Sequence, residues 1–168
     1  MCYLLPIIDD LWKKHVRASD SILHDQPIGS KRYAPFARKI RRLAPDAIII
    51  VPTRELTLQV TAIIRNLSKG SDMRCQSFFC DTTKHGFKRK RQLEAMLARA
   101  AKGANIIVTT VGFLKYVQKV NAMSFDRISY LVFDEADELF DVNFAKDIMR
   151  FMYWSGLDLY KNKIMQNS

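Results

Sequence analysis

Apolar positions along the chain follow two alternating rhythms. Leu4, Leu5, Ile7, Ile8, Leu11 and Trp12 recur with a helical period, so the chain opens inside a helix. Ala47 to Val51 is a continuous, mostly β-branched run, the pattern of a strand covered on both faces. A helix is predicted from about Thr53, with Leu56, Val60, Ile63, Ile64 and Leu67 on one face and Gly70 as its stop. Met73 to Phe79 is a weaker strand. Leu93, Met96, Leu97, Ala100 and Ala101 predict the next helix, Asn105 to Thr109 a strand, and Phe113, Leu114, Val117 and Val120 a further helix. Ser129 to Phe133 is a strand that runs into Asp134, Glu135 and Asp137, and a last helix carries Phe144, Ile148, Phe151 and Met152. Residues 18–45 hold Pro27, Pro35 and Pro45 with little sustained pattern and read as a surface connection.

Strand and helix alternate throughout, the signature of an α/β fold with a parallel sheet and helices on both faces. The 168 residues, 48% of them apolar, are enough for one domain with its own core. A net charge of +10 changes the picture more, because it points to a polyanionic partner, nucleic acid before an anionic membrane surface. No apolar run approaches bilayer length and no secretory leader is recognisable, so no membrane partner is expected. Cys2, Cys75 and Cys80 have neither metal-ligand nor redox spacing, which favours a reducing compartment, cytoplasm or nucleus. His15, His24 and His85 are too dispersed to suggest a metal site or a triad. Trp12 and Trp154 are expected in the core. Two basic clusters, Lys31 to Arg42 and Lys84 to Arg91, read more readily as solvated faces than as specific contacts.

Candidate chemistry gathers where buried strands end and helices begin. Three junctions share this design: Val51-Pro52-Thr53-Arg54-Glu55-Leu56, Thr109-Thr110-Val111-Gly112, and Phe133-Asp134-Glu135-Ala136-Asp137. In a parallel sheet all three face one rim, where helix N-termini offer N–H groups to phosphates and open sheets place their ligands. Asp134 and Glu135 suit a hydrated divalent cation and an activated water, although the pair alone reads equally well as a helix cap.

Taken together, these residues resemble the first RecA-like domain of DEAD-box ATP-dependent RNA helicases. Pro52 to Leu56 is similar to the family's motif Ia, Thr110-x-Gly112 to motif Ib, and Asp134 to Asp137 spells motif II, in the family's order. Asp141 to Phe144 resembles the Asp-x-Gly-Phe that follows. The resemblance covers nearly the whole chain, residues 1–168, with 18–45 as a variable insert. It implies that Pro52, Thr53, Arg54, Thr110 and Gly112 face the RNA backbone. It further implies that Asp134 holds Mg²⁺ through water and, with Glu135 and Asp137, serves the ATP site, with Asp134 and Glu135 as the catalytic pair. RNA and a second RecA-like domain are the implied partners, and nothing implies an oligomer.

The departures are as informative. No Gly-x-x-x-x-Gly-Lys phosphate loop occurs, and Cys2 to Ile8 resembles the helix that follows that loop in the family. No Ser-Ala-Thr follows motif II. The reading is therefore an incomplete RecA-like sheet, lacking the phosphate-loop strand and the Ser-Ala-Thr strand, with Tyr130 to Phe133 left as an exposed, aggregation-prone edge. ATP and Mg²⁺ are cofactors of the parent enzyme, but the missing loop argues against their binding to this chain alone and against hydrolysis by it. Val111 and Phe113 replace a proline and an arginine of motif Ib, and Cys80-Asp81 stands near the family's glycine pair. The competing reading is a non-catalytic RNA-binding or scaffolding module derived from a helicase.

Overall fold

A computed structural model of the chain describes residues 2–24, 43–80, 86–100, 103–140, 144–156 and 163–166. The β-branched run forms β1 (Ala47–Ile50), buried at every position, as a strand covered on both faces must be. α1 (Leu4–His24) precedes it, and α2 (Arg54–Leu67), β2 (Cys75–Phe78), α3 (Gly86–Ala100) and β3 (Ile106–Thr109) follow. Then come α4 (Val111–Val120), β4 (Tyr130–Phe133), α5 (Ala136–Leu139), α6 (Ala145–Ser155) and β5 (Lys163–Gln166). All pairings are parallel and the strand order is β2-β3-β1-β4-β5.

The period of two along each strand divides the core into two layers. Ala47, Ile49, Val51, Val108, Tyr130 and Val132 face α1 and α2, which contribute Leu4, Ile7, Leu11, Val60 and Ile64. Ile48, Ile50, Ile107, Leu131 and Phe133 face the opposite layer, built from α3, α4 and α6 with Met96, Phe113, Val117 and Phe151. Fully burying each such side chain is worth about 1.5–3 kcal/mol before the cost of ordering it. The fold class expected from the sequence is therefore the one observed.

Four local expectations differ. α1 runs on to His24, into the stretch read as a surface connection, while residues 25–42 lie outside the described ones. Trp12 is 52% exposed and not in the core, because Leu4, Ile7, Ile8 and Leu11 already occupy the one stripe of α1 that meets the sheet. A short helix, α5, which the pattern did not predict, follows the acids ahead of the expected last helix, α6, which carries Ile148, Phe151 and Met152. Tyr130 to Phe133 is not an open edge, since β5 pairs along its whole length. Backbone pairing is indifferent to side chains, so Lys163–Gln166 takes that place without a Ser-Ala-Thr sequence.

Candidate functional site

Strand register brings the three junctions to one level. Ile50 is paired with Thr109 on one side and Phe133 on the other, so Val51, Thr110 and Asp134 each stand one step beyond the sheet. The ladder continues through this step: Val51 N–H donates to Thr109 O at 2.9 Å and Asp134 N–H to Ile50 O at 3.0 Å. β1 lies between β3 and β4, so the Thr53 junction is flanked by the other two. The helix after β1 packs on one face, and the helices after β3 and β4 pack on the other. Where adjacent strands feed opposite faces, a crevice opens at their carboxyl ends, the usual ligand position in such sheets.

Asp134 is the buried charge of this rim, 7% exposed. Its Oδ2 accepts a 2.7 Å hydrogen bond from the Tyr3 hydroxyl, which reaches over from the first residues before α1. Burial, then that bond and the nearby charges of Asp134 and Glu135, push the Tyr3 hydroxyl far above the ordinary phenol range, so it remains a donor. Glu135 sits at φ 55°, ψ 54°, the left-handed region that a residue with a Cβ seldom adopts. That turn directs Glu135 to the exposed rim while Asp134 turns inward, and Asp137 follows, exposed, in the first turn of α5. Among the described residues, no three His, Cys, Asp or Glu groups converge as a metal cage. The donor set fits a cation held at arm's length through water, not one enclosed by protein oxygens.

On the Thr53 junction, Pro52 and Thr53 are half-buried and Arg54 is exposed. Thr53 caps α2, its Oγ1 accepting from Leu56 N–H at 3.2 Å. The Arg54 guanidinium lies over the Phe79 ring, 4.7 Å from its centroid. On the third junction, Thr110 and Gly112 are half-buried at the start of α4, where Thr110 makes no side-chain cap and no acid sits in the first turn. The helix end therefore keeps its positive partial charge. Phe113, which stands where the resemblance implies an arginine, is fully buried and stacks on Phe78 with ring centroids 4.8 Å apart. Val111 is buried as well. These two positions serve the core and present no cation to a phosphate.

A family model described as DEAD/DEAH box helicase matches residues 1–158. The chain belongs to the DEAD/DEAH box helicase family. It is 34% identical over 129 residues to a probable ATP-dependent RNA helicase, ddx52, of Dictyostelium discoideum, covering 73% of this chain and 18% of that protein. It is 35% identical over 118 residues to the ATP-dependent RNA helicase dbp3 of Aspergillus niger, covering 70% and 22%. A human ATP-dependent DNA helicase, DDX31, is 31% identical over 141 residues, covering 83% and 16%. The chain thus spans about a fifth of the length of these relatives. Among solved structures, the yeast DEAD-box splicing factor Prp28 superposes with a TM-score of 0.59 over 81% of this chain and 30% of that one, at 23% identity. That likeness establishes the RecA-like fold.

Sequence reasoning missed Tyr3, which it assigned only to an apolar helical run. It also missed a polar hub at the opposite pole of the sheet. There Asp46, 1% exposed, accepts from Arg127 Nη2 at 2.9 Å and from Asn105 Nδ2 at 3.1 Å, with His15 Nε2 also 3.1 Å away. The four residues come from separate parts of the chain, so no local spacing could reveal them. Asp81, residues 141–143 and the Lys31–Arg42 cluster lie outside the described residues. No helix among the described residues is long and apolar enough to cross a membrane.

Proposed function

We propose that this chain supplies the RNA-facing rim and the motif II carboxylates of a DEAD-box helicase ATPase, and does not hydrolyse ATP by itself. The observation that carries this reading is the rim: Thr53-Arg54, Thr110-x-Gly112 and Asp134-Glu135 end neighbouring strands at one level, with no phosphate loop anywhere in the sequence. In this reading Pro52, Thr53, Arg54, Thr110 and Gly112 meet the RNA sugar-phosphate backbone, which fixes register without reading sequence. In the complete enzyme Asp134 would hold the Mg²⁺ of ATP through water, Glu135 would orient the attacking water, and Asp137 would tie the nucleotide site to the motifs that close around it. Mg²⁺ supplies charge neutralisation between the phosphates when it is bound. What the chain lacks is the backbone cradle and lysine that grip the β- and γ-phosphates, so the carboxylates face a substrate they cannot position.

The second RecA-like domain of the parent helicase is the partner that completes the site, and cytoplasm or nucleus is its setting. The buried Phe113 and Val111 weaken the RNA surface at motif Ib, which leaves Arg54 as the principal cation of the described rim. The decisive experiment is ATP turnover by the purified chain, with and without single-stranded RNA. We expect phosphate release no faster than the blank, and measurable turnover overturns the proposal. RNA affinity in the same preparation should fall steeply with salt and weaken on Arg54→Ala. RNA binding that is strong and indifferent to nucleotide would instead favour the non-catalytic binding module.

A further inference from the structure

Phe78 and Phe79 are adjacent aromatic residues at the end of β2, and they meet different faces of the sheet. Phe78 is buried against Phe113 in the layer of α3, α4 and α6, and its carbonyl accepts from Thr110 N–H at 3.2 Å. Two residues on, the Cys80 thiol donates to the Gly112 carbonyl at 3.2 Å. Phe79, half-buried, is thus held between two anchors to the Thr110-x-Gly112 junction. The alternation of the strand turns its ring to the face opposite Phe78, the side of α2. There it meets Arg54, the first residue of α2, whose guanidinium lies over it at 4.7 Å from the centroid.

Both ends of the Arg54 side chain are therefore fixed. At its base, the Thr53 cap sets where α2 begins. At its tip, the ring of Phe79 carries the charge. Among the described residues no carboxylate pairs with Arg54, so its charge is left for an external anion. A guanidinium that rests on a ring keeps its in-plane N–H donors for a phosphate. An arginine free in solvent must instead give up many rotamers when it binds one.

We propose that Phe79 is a positioning residue of the RNA surface: its ring holds the Arg54 guanidinium ready at the rim for a phosphate of the RNA backbone. This rests on the reading of Arg54 as RNA-facing. Phe79 itself touches no phosphate and acts only through Arg54. A ring that served packing alone would be indifferent to its own charge distribution. A ring that holds a cation depends on its negative face.

A double-mutant cycle, read by fluorescence anisotropy of the full chain with labelled oligouridine, tests this. We expect Phe79→Leu to weaken binding about two- to fivefold, the worth of a cation on an exposed ring. The same change made on top of Arg54→Ala should cost nothing further. Phe79→Tyr keeps the ring and should keep the affinity. Pentafluorophenylalanine at this position keeps the shape and reverses the charge distribution, so it should weaken binding as leucine does. That variant decides the matter if Phe79→Leu fails to fold. Additive losses in the cycle, undiminished binding with the fluorinated ring, or a loss in Phe79→Tyr as large as in Phe79→Leu each overturn the proposal. If Arg54→Ala itself leaves affinity unchanged, the RNA-facing reading of Arg54 falls, and the proposal falls with it.

Discussion

Glu135 and Asp134 are adjacent in sequence and opposite in situation. Asp134 continues β4 inward to Tyr3, whereas Glu135 turns through φ 55° and faces out. A residue with a Cβ pays roughly 1 kcal/mol for that backbone region, and glycine does not. Glu135→Gly should therefore raise the urea midpoint, with a gain of about 1 kcal/mol less whatever glycine loses by extra freedom when unfolded. A drop in stability would mean that the side chain makes contacts outweighing the strain. The acidic pair was legible in the sequence as a strand ending in carboxylates. The hydroxyl that holds one of them was not, because Tyr3 looks like one more apolar residue until the fold brings it beside Asp134.

The elements were largely legible, and their ends explain both the successes and the misses. α2 begins where the sequence placed it because Thr53 caps it, and Thr53→Ala should cost about 1 kcal/mol in urea unfolding with an unchanged slope. A change below a few tenths would show that the cap is redundant with the ladder around it. α1 outran its expected end, and Trp12 proved exposed, because periodicity reports which positions are apolar and not how wide a stripe the sheet covers. The short α5 went unread because the single turn Ala136–Leu139 is too brief to show an apolar period. Phe113 was legible as an apolar helix position standing where motif Ib would have an arginine, and only its stacking partner, Phe78, had to come from the fold.

For the molecule as a whole, burial of weak acids makes stability sensitive to alkali. Burial pushes the Cys75 thiol from 9.0 to about 12, and burial with a hydrogen bond to Asp10 pushes Tyr130 from 10.0 to about 12. In both cases the folded state favours the protonated form. The stabilisation is complete below the unfolded values and is lost as pH rises from about 9 towards 12, at up to about 1.4 kcal/mol per pH unit for the buried thiol and less for Tyr130, whose hydroxyl is screened by nearby solvent. The urea midpoint should be flat from neutral pH to about 9 and fall above it. Cys75→Ala should remove the earliest part of that fall, and an unaltered onset would show that the thiol is not responsible.

The sequence alone determined the alternation of strands and helices, the parallel α/β class and the family, through Pro52 to Leu56, Thr110-x-Gly112 and Asp134 to Asp137. These are legible because apolar period and motif chemistry are written within a few consecutive residues. The tertiary structure decided the strand order and the pairing of β5 against β4. It also decided the partners of Phe113, Asp134 and Asp46. Each of these depends on groups distant in sequence finding one another, and the competition for buried surface and hydrogen-bond partners is settled only when the whole chain has packed.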